Sequence, residues 1–170
     1  NLSAEQFYAP ELIGQLNFCL ELSGIEPTQL KLEITESSLI ENQTRANELL
    51  NQIRGLGLQV YLDDFGTGYS SLAYLERFPL HGLKIDRAFV MKVVNSSRRA
   101  AILQKIIELG EILDMRVVAE GVETLDELNA LRSMKCEMVQ GYYYAKPMPA
   151  EEVPAFVERL AIEHCIEVDV

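Results

Sequence analysis

Acidic side chains recur in this sequence at one kind of place, the far end of a short apolar run. The run Leu30 to Ile34 ends around Glu33, with Glu36 just beyond it, and Leu58 to Leu62 leads straight into Asp63 and Asp64. Gly82 to Ile85 carries Lys84 and is followed by Asp86, Met115 to Ala119 is followed by Glu120, and Met138 to Tyr142 carries Gln140. Any one of these, taken alone, is as readily a salt bridge or a helix cap. A succession of five is hard to assign to coincidence. Four or more carboxylates brought together repel one another unless cations neutralise them. Oxygen donors of this kind suit magnesium or manganese, whereas zinc favours nitrogen and sulfur. The chemistry on offer is that of a hard divalent cation.

Such a site needs a scaffold that collects strand ends. The five runs are almost continuously apolar, as strands buried on both faces of a parallel sheet are. Amphipathic helices lie between them. Ile102, Ile106, Leu109 and Leu113 fall on one helical stripe, and Thr124 followed by Glu127 predicts a capping box ahead of Leu125, Leu128 and Leu131. Pro10 and Pro149 suit first-turn positions, the latter with Glu151 and Glu152 near the positive end of the dipole. Repeating βα order with helix-length crossovers predicts an α/β fold, either an open doubly wound sheet or a (β/α)8 barrel. Periodicity does not choose between them. In both, active sites are built at the C-terminal strand ends. The segment Asp63 to Ser71, DDFGTGYSS, contains Gly66 and Gly68 and reads as a glycine-hinged loop that positions the paired aspartates.

Composition narrows the partners. With 26 acidic against 15 basic residues the net charge is −11, which disfavours binding of a nucleic-acid polymer. The 48% apolar content is that of an ordinary globular domain. Neither a membrane-spanning run nor a signal segment is evident, so a single cytoplasmic domain with no direct membrane insertion is expected. Cys19, Cys136 and Cys165 lack metal or disulfide spacing and read as ordinary thiols. His81 precedes a strand, at the wrong end for the acidic site, and both it and His164 read as structural or surface residues, so neither is taken as a general base.

The runs NLS at Asn1 to Ser3, LEITES at Leu32 to Ser37 and DDFGTGYSSL at Asp63 to Leu72 resemble the EAL domain family. So do LKID at Leu83 to Asp86, VVAEGVE at Val117 to Glu123 and QGYYYAKPM at Gln140 to Met148, all in family order. The resemblance implies a (β/α)8 TIM-like barrel that hydrolyses cyclic di-GMP to linear pGpG with two divalent cations, Mg2+ or Mn2+. It implies that Asn1, Glu33, Asp63, Asp64 and Glu120 hold the metals, with Asp63 suited to bridge them. Lys84 and Gln140 would contact the attacking water or support the metal shell, Glu36 would brace the DDFGTG loop, and Glu123 would be a nearby supporting carboxylate.

The Glu-Ala-Leu triplet that names the family does not occur in these 170 residues. Residues 1–170 are therefore expected to be an N-terminally truncated barrel of about five βα units, inactive alone, lacking the first three strands. A homodimer and flanking sensory or GGDEF-type domains are expected in the full protein. The alternative is a non-catalytic cyclic-di-GMP receptor; an unrelated metal-dependent barrel enzyme using Lys84 as a base fits the DDFGTG and QGYYYAKP runs poorly.

Overall fold

The computed structural model describes residues 1–66, 75–91 and 93–164, with the side chains of 161–164 excepted. Gly68, the rest of the DDFGTGYSS loop beyond Gly66, the helix start at Leu72 and Cys165 lie outside the described residues. Among the described residues five strands form one sheet: β1 (Lys31–Thr35), β2 (Gln59–Phe65), β3 (Gly82–Ile85), β4 (Arg116–Glu120) and β5 (Met138–Gln140). All neighbours are parallel and follow chain order. A doubly wound sheet would reverse its strand order part-way; an unbroken sequential order is an arc of a (β/α)8-type barrel.

Side-chain alternation divides the arc into two faces. Leu32, Ile34, Val60, Leu62 and Leu83 pack in one buried cluster with Phe7, Leu12, Leu20, Ala46, Leu49, Leu50 and Ile53. These helical residues come from α1 (Ala4–Phe7), α2 (Leu12–Ser23) and α4 (Gln43–Gly55), while α3 (Glu36–Glu41) adds Leu39. A second cluster joins Ile85, Val117 and Ala119 to α5 (Arg87–Val90), α6 (Ser97–Ile112) and α7 (Leu125–Ser133). The last helix among the described residues is α8 (Val153–His164). The opposite face carries Glu33, Asp63, Lys84 and Glu120. On the free side of β1, Leu2 forms a parallel bridge to Ile34, and its N–H donates to the Glu33 carbonyl at 2.8 Å, which sets Asn1 level with Glu33.

Local chemistry fixes the helix starts. The Thr124–Glu127 capping box is present: Thr124 Oγ1 accepts from Glu127 N–H at 3.2 Å and Glu127 Oε2 accepts from Thr124 N–H at 3.0 Å. Asn42, Asp86 and Ser96 cap α4, α5 and α6.

Four expectations are corrected. The fifth strand stops at Gln140 rather than Tyr142, because Gly141 packs directly on the Val122 backbone and the chain turns there. Pro10 stands in the turn before α2, not in its first turn, since Glu11 is the N-cap. Pro149 caps a short 3-10 turn ahead of α8, and Glu151 and Glu152 lie in that turn. On α6 the buried line is Leu103, Ile107 and Gly110, whereas Ile102 is exposed. Helix and sheet approach closely at Gly110, where a Cβ would collide with Val117, which keeps this side of the helix against β4.

Candidate metal centre

The end of β2 is irregular, and the irregularity builds the site. Leu62 pairs with Leu83 and Phe65 with Ile85, so β2 advances one residue more than β3. Asp63 and Asp64 together face Lys84. Asp64 takes φ 55, a left-handed conformation that aspartate tolerates better than most residues. Strict alternation would send these two carboxylates to opposite faces; the bulge turns both to one side. The Asp64 N–H donates to Asp63 Oδ1 at 3.1 Å, which helps hold the turn.

Lys84 lies at the centre. Its side chain is 7% exposed, and Nζ stands 2.8 Å from Glu33 Oε1, 3.3 Å from Asp63 Oδ1 and 2.7 Å from Glu120 Oε1. Burial alone would lower its pKa, but hydrogen bonds to Glu120 and Glu33 and the charges of Glu120 and Asp63 raise it well above the ordinary lysine value. Lys84 is thus a fixed ammonium at neutral pH. The Glu120 carboxyl is pushed up by burial, against the pull of Lys84, with Asp63 and Glu33 adding to the rise. Asp64 is raised by burial and then by the neighbouring charges of Asp63 and Asp86.

Asp63, Asp64 and Glu120 each offer a carboxylate oxygen within 4.8 Å of the other two. One ammonium faces four carboxylates once Glu33 is counted, so the cluster carries surplus negative charge. Oxygen donors with surplus charge suit a hard divalent cation, and the residues present fit one.

The other expected site residues divide. Glu36, 4% exposed, accepts the Gly66 N–H through Oε2 at 3.4 Å, and its Oε1 has no hydrogen-bond partner among the described residues. Gln140 pairs with Glu120 in the register and is exposed. Glu123 sits after β4, paired with Arg87 at 2.8 Å rather than with Lys84. Asp86 caps α5, its Oδ1 accepting from Ala88 N–H at 2.8 Å. His81 is at the opposite strand end, where Nδ1 accepts the Val60 N–H at 3.1 Å. The bulge, the Arg87–Glu123 pair and the Phe89 ring against Gly66 are additions to the sequence reading. The successive acids of Asp63–Asp64 hinted at the first; periodicity carries no sign of the other two.

A family model described as the EAL domain matches residues 1–147. The chain belongs to the EAL domain family. Among curated relatives, cyclic di-GMP phosphodiesterase NbdA of Pseudomonas aeruginosa is 43% identical over 157 residues, covering 92% of this chain and 20% of NbdA. MucR of the same organism, a bifunctional diguanylate cyclase/cyclic di-GMP phosphodiesterase, is 41% identical over 157 residues, covering 92% of this chain and 23% of MucR. The PaMucR phosphodiesterase solved in complex with c-di-GMP superposes with a TM-score of 0.86, covering 90% of this chain and 62% of that one at 41% identity. The Klebsiella pneumoniae BlrP1 calcium/cy-diGMP complex gives a TM-score of 0.81 at 34% identity, covering 86% of this chain and 38% of that one. This EAL chain spans about a fifth of the length of the curated relatives it matches.

Proposed function

We propose that the protein containing this EAL chain is a cyclic-di-GMP phosphodiesterase, hydrolysing the cyclic dinucleotide to linear pGpG with two divalent cations, Mg2+ or Mn2+. The observation that carries the reading is the cluster at the strand ends, with Glu33, Asp63 and Glu120 on Lys84 and Asp64 turned in by the bulge. The names of NbdA and MucR support it, as do the cyclic dinucleotide complexes of the PaMucR phosphodiesterase and BlrP1. MucR's two activities also support flanking cyclase-type domains in a longer chain.

Asp63, Asp64, Glu120 and Glu33 would hold the cations, with Asn1 level with Glu33 to add an amide oxygen. Bound there, divalent cations supply Lewis acidity, acidifying a water and drawing charge from the phosphoryl oxygens. Lys84 keeps its proton and adds a fixed positive charge where negative charge develops on phosphorus. It is not a base. Glu36, through the Gly66 N–H, pins the end of β2 and so the aspartate pair. Gln140 stands at the next strand end, open to solvent, where substrate or water can reach it.

Product chromatography tests this. The full-length protein is incubated with cyclic di-GMP and Mg2+, Mn2+, Ca2+ or chelator. Linear pGpG appears with Mg2+ or Mn2+, and little with Ca2+, whose larger and looser coordination acidifies water less. Tight binding of the cyclic dinucleotide with no product under any cation would favour the receptor instead.

A further inference from the structure

Arg87, the first residue of α5, has no role in the site as described so far, yet it is built against the loop that follows Glu120. The chain leaves β4 through Gly121 at φ 72, a left-handed turn that favours glycine. The stem of Arg87 lies across that turn: a Cβ on Gly121 would stand 2.7 Å from Arg87 Cβ and 2.8 Å from its Cδ. Beyond the stem, guanidinium Nη2 is 2.8 Å from Glu123 Oε1. The loop is closed from the other side as well. The fully buried Val122 donates its N–H to the Gln140 carbonyl at 3.1 Å, and its own carbonyl accepts from Tyr143 N–H at 2.9 Å. Residues 121–123 are therefore gripped between β5 and Arg87. The segment that ends in Arg87 also contains Lys84, whose ammonium holds the Glu120 carboxylate at 2.7 Å.

We propose that Arg87 is a positioning residue that fixes Glu120 relative to Lys84, acting through the Gly121 turn and Glu123. The proposal rests on the divalent-cation reading of the site. Side chains of Arg87 and Glu123 are 49% and 40% exposed, so the ion pair adds little to global stability and its loss shows in the site. Residues that orient metal-binding groups typically contribute about 10- to 100-fold to affinity or activity.

The test uses the full-length protein with Arg87→Met, which keeps a stem, Arg87→Ala, which removes it, and Arg87→Lys. Mn2+ affinity is measured by titration calorimetry without substrate, alongside kcat and KM for cyclic di-GMP and the melting temperature. In Arg87→Met, Mn2+ affinity and kcat fall roughly tenfold or more, KM changes much less, and melting is unaltered. Arg87→Lys recovers part of the loss, and adding Glu123→Gln to Arg87→Met causes little further loss. Should Arg87→Ala fail to fold, Arg87→Met and Arg87→Lys decide. Parental Mn2+ affinity and kcat in Arg87→Met would overturn the proposal. A parent that binds Mn2+ but releases no pGpG would remove the phosphodiesterase reading alone, leaving positioning to be decided by the Mn2+ affinity of Arg87→Met. A parent that binds no Mn2+ overturns both.

Discussion

Lys84 sets a single positive charge against three contacting carboxylates, so its loss should be felt before any chemistry begins. In Lys84→Met, Glu33, Asp63 and Glu120 are left together without an ammonium. Breaking a largely buried pair of this kind costs about 3 kcal/mol. Denaturant unfolding in chelator should show that loss, and Mn2+ should restore part of it by supplying the missing charge; unchanged stability in chelator would refute the electrostatic role. His81 acts at the other strand end. Burial lowers its pKa below 6.5, with Arg54 adding to the effect. Its neutral form accepts the Val60 N–H. A depressed folded pKa means the stabilisation is present above the unfolded value near 6.5 and is lost as pH falls through the folded value. Unfolding midpoints of the parent should therefore fall relative to His81→Asn between pH 7 and 5, since asparagine keeps an acceptor and does not titrate. Parallel pH profiles would rule this out. The positions of Glu33, Asp63, Glu120 and Lys84 were legible because a strand end in an α/β chain has a known destination. Arg87 was not, because its partner lies two elements away and its residue type fits any exposed helix.

At the scale of elements, hydrophobic runs located the five described strands, with boundaries moved by up to three residues, the most at the end of β2. Their parallel order followed from the helical crossovers. What was hidden depends on close approach. Ile102, Ile106, Leu109 and Leu113 do define a helix, but the side facing β4 is chosen by Gly110, which has no side chain to signal it. Two substitutions of the same kind test this packing. Gly110→Ala should destabilise by about 1–3 kcal/mol, because the new methyl meets Val117. Gly14→Ala, on α2 with nothing within 4 Å, should stabilise by about 0.5–1 kcal/mol through helix propensity. Chemical denaturation of both reads the signs; the same sign for both would contradict the packing. The bulge at Asp63–Asp64 was no more than hinted at by the successive acids, since alternation alone separates adjacent side chains.

Across the whole molecule, the sequential strand order gives an open arc. Among the described residues β5 pairs only with β4, and the free side of β1 takes only the bridge from Leu2. Phe18 and Leu22 on α2 are 62% and 76% exposed. Open strand edges and exposed apolar side chains favour association. Residues 1–170 expressed alone should therefore self-associate in size-exclusion chromatography with light scattering, and should be inactive; an active, monodisperse monomer would contradict this. The most direct test of the central claim is turnover of cyclic di-GMP by the full-length protein, followed as pGpG while Mn2+ is titrated into metal-free enzyme, beside Asp63→Asn. Product formation should rise from none with added Mn2+ and be reduced at least a hundredfold, an order-of-magnitude expectation, in the variant. Turnover that persists in chelator, or equal turnover by Asp63→Asn, would contradict a divalent-cation phosphodiesterase site at these strand ends.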